Sequence, residues 1–350
     1  MALKPVVLCL SRSGEKTAHS VAGALGASVH GREGRVDVAD AYFPDALEHT
    51  RTLFASGTPI IGVCAAGILI RAVAPLLADK TVEPPVVAVS DDGSVVVPLL
   101  GGHRGANRLA SEIATALDAV TAVTTAGDVA MGVALDEPPL GYRLANPSDA
   151  KAVMAALLGG AGAKLSGEQI FDLASDQAGT VELLVSEALA EGSEKQLVYH
   201  PQRYALGLGC ARNADPEELW SLVTESLADA GIAEGAIASV NSIDLKGDEP
   251  AIIEAARRLG VPLRLFTAAQ LEAEAGRLKT PSNVVFAEVG CHGVSEGAAL
   301  AAAGAGSELT IAKRKTANVT CAVARSEAPI VDLPGRARGR LSIIGIGPGQ

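Results

Sequence analysis

The chain has 350 residues, a formal net charge of −11 at pH 7 and hydrophobic residues at 48% of its positions. This apolar content is enough for packed cores and excludes a disordered chain. Only 3% of the residues are aromatic, and together with the acidic charge this argues against a nucleic-acid partner bound through stacked bases and phosphate contacts.

Five cysteines are scattered along the sequence without close pairs, which indicates a reducing compartment rather than a disulfide framework. Their spacing matches no structural zinc motif, so we expect no metal held by the chain itself. The sequence has no apolar run long enough to span a membrane and no signal-peptide pattern at its start. We therefore expect a cytoplasmic protein with no membrane partner.

Short apolar runs alternate with amphipathic segments through the first 135 residues. Strands are predicted at 5–10, 59–63, 85–90 and 95–99, and helices at 15–25, 45–56, 66–78 and 104–117. Strands that are apolar at every position are typical of a parallel sheet that is covered by helices on both faces.

The same alternation returns after residue 204, where Asp215 and Pro216 mark the start of a helix. Strands are predicted at 204–208, 236–242, 262–266, 310–312 and 319–324, and helices at 216–230, 250–259, 268–276 and 293–303. The chain is thus predicted to be α/β, with two Rossmann-like three-layer α/β/α domains joined by a smaller middle segment.

These patterns divide the chain into four regions. An N-terminal α/β domain is predicted at 1–135, a middle linking segment at 136–203, a C-terminal α/β domain at 204–326 and a tail at 327–350. Within the tail, residues 335–340 read GRARGR, which we interpret as a basic, flexible linker. It continues into a strand-like run that ends in GIGPG, which predicts the opening of a further domain.

The segment GVCAAGILIR, residues 62–71, joins a predicted strand to a helix through small residues. Such a junction directs backbone N–H groups at a pocket and suits a carboxylate or phosphate, with Gly67 allowing close approach and Arg71 supplying charge. A tight strand-to-helix turn without a ligand is the alternative interpretation.

The segment LLGGHRGAN, residues 99–107, places a histidine and an arginine after two glycines. Gly101 and Gly102 allow close backbone approach, and His103 can serve as a general base near neutral pH. Arg104 and Arg108 are four residues apart, which on one helical face would form a clamp for carboxylates. A structural histidine in a loop is the alternative.

Two segments of the C-terminal half also concentrate polar groups. EVGCHGVSE, residues 288–296, holds Glu288 and His292 beside a predicted helix start, although Ser295 and Glu296 could simply cap that helix. AKRKTAN, residues 312–318, sets three cations next to a strand in an acidic protein. We interpret the second segment as a pocket for a polyanionic small molecule, with a solvated turn as the alternative.

Taken in chain order, these segments resemble the CbiG family of cobalt-precorrin-5A hydrolases, including its CobE-like C-terminal domain. The matching blocks are GVCAAGILIRAVAPLLADKTVEPPVVAVSDDG, VVPLLGGHRGANRLASEIA, LGLGCARNADPEELW, EVGCHGVSEGAAL and AKRKTANVTCAVA. The tail GRLSIIGIGPGQ resembles the start of the precorrin methyltransferases, which use S-adenosylmethionine. A fused precorrin-3B C17-methyltransferase would give this order of segments.

The resemblance implies an enzyme that opens the ring-A δ-lactone of cobalt-precorrin-5A and releases acetaldehyde to give cobalt-precorrin-5B. Cobalt would arrive with the tetrapyrrole, so no cofactor of the chain's own is expected, and S-adenosylmethionine would serve only the methyltransferase. The expected partners are the tetrapyrrole, the fused domain and a second copy in a homodimer. The alternative is a module that binds or carries corrinoid intermediates without catalysis.

Lactone opening needs a base for the attacking water and donors for the oxyanion that develops. We assign the base first to His103, and second to Glu288 with His292 as its partner or proton donor. Lys313 and Lys315 are predicted to bind peripheral carboxylates or polarise the lactone carbonyl, and Asn318 to donate to the oxyanion. We expect so wide a substrate to occupy a cleft between the two domains.

Overall fold

The computed structural model describes residues 4–79, 83–124 and 133–338, with the side chain of residue 103 left out. The chain divides into two compact units, Ala2–Glu137 and Pro138–Gln350. None of the helices in the described ranges combines the length and apolar character needed to cross a lipid bilayer. All five cysteines are free thiols.

The first unit is built on one seven-stranded sheet with the order β3-β2-β1-β4-β5-β6-β7. Its strands are β1 Val6–Cys9, β2 Ser28–Arg32, β3 Ala41–Phe43, β4 Ile60–Val63, β5 Val86–Val89, β6 Val95–Leu100 and β7 Val120–Thr121. Its helices are α1 Glu15–Leu25, α2 Ala46–Ala55, α3 Ala66–Val73 and α4 Ala106–Leu117. Among the described residues of this unit, every pairing is parallel except that of β5 with β6.

Side chains of the central strands point alternately to the two faces of this sheet, and each face carries its own core. Val7 packs in one core with α1 and α4, whereas Leu8 packs in the other with α2 and α3. The helices that follow β1 and β4 therefore lie on opposite faces. This arrangement opens a crevice between the carboxyl ends of these two neighbouring strands.

The second unit contains two sheets. The segment predicted as a linking region forms a four-stranded sheet of its own with the order β8-β11-β10-β9. Its elements are β8 Tyr142–Leu144, α5 Ala150–Leu158, β9 Ala163–Ser166, β10 Val181–Val185 and β11 Gln196–Pro201. Only β8 pairs in the antiparallel direction.

The other sheet has six strands in the order β15-β16-β12-β13-β14-β17. The strands are β12 Tyr204–Cys210, β13 Ile237–Ile243, β14 Leu263–Phe266, β15 Glu308–Lys315, β16 Val319–Arg325 and β17 Arg336–Ala337. The helices are α6 Pro216–Asp229, α7 Pro250–Leu259, α8 Ala268–Glu272, α9 Asn283–Val289 and α10 Val294–Ala303. The central strands β12, β13 and β14 are parallel, and the others are antiparallel.

Helices cover both faces of this sheet, so the predicted α/β class is confirmed. Helices α6 and α7 share one core with β12, and the alanine-rich α10 packs on the opposite face. A Cβ at Gly207 would stand 1.9 Å from the carbonyl oxygen of Ser295, so only glycine permits this approach. The close packing fixes the start of α10 at the carboxyl end of β12.

Several predicted boundaries differ from the structure. The strand predicted at 310–312 is longer, Glu308–Lys315, and the helix predicted at 268–276 is only Ala268–Glu272. Part of the predicted flexible linker is a strand, because Arg336–Ala337 pairs with β14. The remaining predicted opening of a further domain, residues 339–350, lies outside the described residues.

Candidate functional site

A cleft of about 650 Å³ opens at the carboxyl ends of β12 and β13 in the second unit. The turn between β15 and β16, the helix α9 and the start of α10 form its walls. Ligands of open α/β sheets bind at this edge, because the loops that leave the strands diverge there. The lining includes Cys210, Arg212, Lys246, Ser282, Glu288, Gly293, Val294, Ser295, Lys313, Lys315 and Asn318.

Two lysines of β15 face this cleft without an acidic partner among the described residues. Successive side chains of a strand point to opposite sides, so Lys313 and Lys315 share a side while Arg314 points away. Arg314 pairs with Asp229 at 2.6 Å, and the Lys313 ammonium donates only to the carbonyl oxygen of Thr280, at 3.2 Å. The two ammonium groups are therefore available to an anionic ligand.

The other cations of the cleft are already neutralised. Arg212 pairs with Asp248 and Glu249, both at 3.0 Å. Lys246 pairs with the same Glu249 at 3.3 Å, and that carboxylate is 1% exposed. These ion pairs hold the loops after β12 and β13 together. They therefore stabilise the walls of the cleft and add little positive charge to it.

Glu296 is a buried carboxylate, 1% exposed, behind the two lysines. It accepts hydrogen bonds from the backbone N–H groups of Lys279, Thr280 and Lys313, at 2.8, 3.0 and 2.8 Å. Burial alone would raise its pKa, but these donors outweigh burial and hold the pKa below its ordinary value. Instead of capping its own helix, Glu296 fixes β15 and the loop before α9.

Glu288 and His292 do not form the predicted pair. The Glu288 carboxylate is exposed at the cleft and makes no hydrogen bond or ion pair with another described residue. The His292 ring instead bonds through Nδ1 to Glu272 at 2.9 Å and stacks on Phe286, 4.4 Å between ring centroids. Because Nδ1 is engaged by Glu272, Nε2 is the ring nitrogen left for another partner.

Glu272 is a partner that the sequence did not reveal. It accepts the backbone N–H of His292 at 2.9 Å as well as the ring contact, and the backbone bond is the main reason that its pKa is lowered. The two residues are 20 positions apart in the chain. No local spacing pattern could have predicted the pair.

The predicted oxyanion donor Asn318 is held in the turn between β15 and β16. Its side-chain Nδ2 donates to Glu218 at 3.0 Å, and its backbone N–H donates to the same carboxylate at 3.2 Å. Hydrogen bonds from Thr316 and then Asn318 lower the pKa of Glu218. One hydrogen of the Asn318 amide remains for a ligand.

The thiols near the predicted sites are not activated. Burial raises the pKa of Cys210, which lines the cleft, to about 11. In the first unit, burial raises the pKa of Cys64 to about 12. A thiol is nucleophilic only as the thiolate, so neither group is a nucleophile near pH 7.

The crevice of the first unit holds a polar cluster that the sequence analysis did not single out. The hydroxyl groups of Ser11 and Ser13, after β1, both donate to Asp91, after β5, at 3.0 and 2.6 Å. Thr17 on α1 donates to the backbone carbonyl oxygen of Asp91 at 2.7 Å. The sequence signal for this cluster was the presence of small polar residues directly after buried strands. In the structure these polar groups bind one another.

Gly67 and Arg71 lie on the first helical turns of α3. The Arg71 guanidinium folds back onto its own helix and donates to the carbonyl oxygen of Gly67 at 3.0 Å. The helix has no side-chain cap at Ala65. The first helical N–H groups therefore have no side-chain acceptor, but the N–H of Ile68 donates to the carbonyl oxygen of Ala65 at 2.9 Å. The anion site at this junction stays a prediction.

The Gly-Gly segment corrects one prediction. Gly102–Arg104 is a separate 3-10 turn, and Gly105, with φ at 94°, divides it from α4, which starts at Ala106. Arg104 and Arg108 therefore do not lie on one helical face, so the clamp predicted from their spacing is wrong. Gly101, with φ at 75°, sits against Pro84 and Pro85, where a Cβ would come within 2.8 Å.

Four predicted site residues thus line one cleft, namely Glu288, Lys313, Lys315 and Asn318. Gly67, Arg71, Gly101, Gly102, His103, Arg104 and Arg108 belong to the first unit. The side chain of His103 is outside the described part of the structure. Within the described ranges, no three His, Cys, Asp or Glu side chains gather as a metal site would require.

Comparison with known families gives two matches in chain order. The family Cobalamin synthesis G N-terminal matches residues 48–128, and Cobalamin synthesis G C-terminus matches residues 204–324. The first match lies in the first unit, and the second covers the sheet from β12 to β16.

Three known proteins share this similarity. The chain is 29% identical over 301 residues to the cobalt-precorrin-5A hydrolase of Priestia megaterium, covering 78% of this chain and 80% of that protein. It is 30% identical over 249 residues to the cobalt-precorrin-5A hydrolase of Salmonella typhimurium, covering 63% and 69%. It is 50% identical over 119 residues to Protein CobE of Sinorhizobium sp., covering 34% of this chain and 77% of that protein.

Proposed function

Because the chain belongs to the cobalamin-biosynthesis family CbiG, we propose that it hydrolyses cobalt-precorrin-5A. The reaction opens the ring-A δ-lactone and releases acetaldehyde to give cobalt-precorrin-5B. The observation that carries the proposal is the 301-residue match to a cobalt-precorrin-5A hydrolase, which spans 80% of that protein. The chain is thus a hydrolase of vitamin B12 biosynthesis.

Water must lose a proton as it attacks the lactone carbonyl, so the reaction needs a general base. We assign this role to His103, on the loop after β6. Glu288 is the second candidate, with His292 as a proton donor, and its exposed and unpaired carboxylate in the cleft supports it. Asn318 retains one amide hydrogen that could donate to the oxyanion of the attacked carbonyl.

The substrate carries acetate and propionate arms, which need cationic and N–H-rich surroundings. Lys313 and Lys315 support binding of these arms, because they face the cleft without an acidic partner among the described residues. From the first unit we assign further contacts to the arms and ring edge to Gly67, Arg71, Gly101, Gly102, Arg104 and Arg108.

Cobalt belongs to the substrate in this proposal, and the chain holds no cofactor of its own. The five free thiols support a reducing compartment, and we place the reaction in the cytoplasm.

The tail GRLSIIGIGPGQ supports a precorrin-3B C17-methyltransferase that follows Gln350 and uses S-adenosylmethionine. A reading frame that continues into such a domain would support this fusion, and a stop codon directly after Gln350 would contradict it.

The hydrolysis is tested by incubating the protein with cobalt-precorrin-5A without oxygen and measuring acetaldehyde through NADH consumption by alcohol dehydrogenase. We expect acetaldehyde in proportion to the pigment consumed. The CobE-like C-terminal half raises a second candidate, a carrier of corrinoid intermediates. Tight binding of the pigment without acetaldehyde would favour the carrier and contradict hydrolysis.

A further inference from the structure

We propose that the start of α10, together with the hydroxyl group of Ser295, is a subsite for one carboxylate arm of the tetrapyrrole. The inference rests on the proposed function for the identity of the ligand. It concerns the part of the cleft formed by Gly293, Val294 and Ser295. None of these residues was assigned a role in binding from the sequence.

The N-terminus of α10 is open. The helix has ten residues, and its N-cap, Gly293, offers no side chain to accept the first N–H groups. Glu296 occupies the third helical position, from which a carboxylate could fold back over the helix start, but its oxygens are bound to residues 279, 280 and 313. The N–H groups of this first turn therefore carry the positive end of the helix dipole without a side-chain acceptor.

Ser295 supplies an independent observation at the same place. It is 1% exposed, and its Oγ has no hydrogen-bond partner among the described residues. Side chains of a helix lean towards its N-terminus, so this hydroxyl lies over the turn that faces the cleft. A buried hydroxyl group without a partner is unfavourable, and a ligand oxygen at the helix start would satisfy it.

Another buried serine of the second unit, Ser226, has a satisfied hydroxyl group, unlike Ser295. Ser226 on α6 is also 1% exposed, but its Oγ donates to the carbonyl oxygen of Leu222 at 2.6 Å. The buried hydroxyl outside the cleft is satisfied by the protein, and the one beside the cleft is not.

The charge around the subsite also favours a carboxylate. Lys313 and Lys315 line the same cleft, and Glu296, the residue after Ser295, holds the backbone of Lys313 at 2.8 Å. An anion at the helix start would therefore accept N–H and O–H hydrogen bonds in the field of two ammonium groups. A neutral arm would gain neither the dipole nor the ammonium contribution.

The test uses uroporphyrin I, a tetrapyrrole with acetate and propionate arms, titrated into the full chain while its fluorescence is recorded. We expect Ser295→Ala to weaken binding about tenfold, because a hydrogen bond to a charged group is lost. The midpoint of thermal unfolding should stay unchanged or rise, since the substitution removes an unsatisfied buried group. The control Ser226→Ala should lower the unfolding midpoint and leave the affinity for uroporphyrin I unchanged.

A second variant tests the backbone donors. Val294→Pro removes one N–H at the first helical position, where proline is well tolerated, and the extended Gly293 (φ −171°, ψ 115°) is compatible with a following proline. We expect it to weaken binding of uroporphyrin I with the helix retained. Unchanged affinity in both variants would overturn the subsite and leave the proposed hydrolysis standing. Failure of the unmodified protein to bind uroporphyrin I would also overturn the subsite, while the hydrolysis is judged separately by acetaldehyde release from cobalt-precorrin-5A.

Discussion

The polar side chains at the carboxyl edge of the central strands differ between the two units in whether they have hydrogen-bond partners. In the first unit, Ser11 and Ser13 are bound to Asp91, so the polar groups of the crevice satisfy one another. In the second unit, the Ser295 hydroxyl and the Lys315 ammonium have no partner among the described residues. The polar side chains after β1 and β5 of the first unit are thus satisfied internally, whereas Ser295 and Lys315 at the cleft of the second unit are not satisfied within the part of the chain that the structure describes.

This difference indicates a division of work in the proposed reaction. The second unit offers cations and open N–H groups, which suit the carboxylate arms of a tetrapyrrole. The proposed base, His103, belongs to the first unit.

The largest effect is expected from the base. His103→Ala should lower turnover of cobalt-precorrin-5A about 100-fold or more with little change in substrate affinity, as loss of a general base does. Glu288→Gln, the corresponding change in the second unit, should lower the turnover by less than about tenfold. Acetaldehyde release and pigment titration measure the two quantities, and the reverse order of effects would move the base to the second unit.

The next effect concerns the buried carboxylate. Glu296→Gln replaces one accepting oxygen with an NH₂ group that faces N–H donors, so we expect a loss of about 3 kcal/mol in the free energy of unfolding. Denaturant titration at pH 7 measures it. A loss below about 1 kcal/mol would show that the clamp on β15 contributes little.

The pKa of Glu296 in the folded protein lies below its ordinary value of 4.5. Its contribution is therefore complete above pH 4.5 and is lost as the pH falls through the lower pKa of the folded state. Compared with the unmodified protein, Glu296→Gln should remove this part of the acid sensitivity. An identical pH dependence in both proteins would contradict the assignment.

A smaller effect is expected from the free lysines. Lys313→Ala combined with Lys315→Ala should weaken binding of cobalt-precorrin-5A about 30-fold and reduce the dependence of affinity on salt. The control Arg314→Ala removes the cation between them, which points away and pairs with Asp229. If the control weakens binding as much as the double variant, the affinity depends on net charge rather than on the cleft.

The smallest effect lies in the first unit. His30 Nδ1 and His49 Nε2 are 2.9 Å apart, and burial lowers the pKa of both rings from 6.5. Because the unfolded chain binds protons more readily, stability should fall by up to about 1 kcal/mol as the pH drops below 6.5. His49→Gln should flatten this dependence, as measured by urea titration. If the variant loses as much stability below pH 6.5 as the unmodified protein, the pH dependence arises from groups other than His30 and His49.

The sequence predicted most strands of both α/β domains, because continuous apolar runs such as Ile60–Val63 signal burial on both faces. It did not reveal the sheet of the middle segment, two of whose strands, Tyr142–Leu144 and Ala163–Ser166, are short and mostly half-buried. The break at Gly105 was also missed, since its positive φ is set by the contacts of the loop and not by residue type alone.

For the candidate site, the sequence indicated the residues but not their partners. Lys313 and Lys315 were recognisable from local charge. The helix cap considered as an alternative for Glu296 is not formed, because its four hydrogen bonds go to residues about 17 positions away on either side. Pairings of this kind depend on tertiary packing, which spacing along the chain does not encode.

A single-turnover experiment with the protein in excess over cobalt-precorrin-5A decides between hydrolysis and mere binding of the pigment. We expect acetaldehyde in an amount equal to the pigment converted, together with the spectrum of the opened product. Complete binding of the pigment with no acetaldehyde would contradict it.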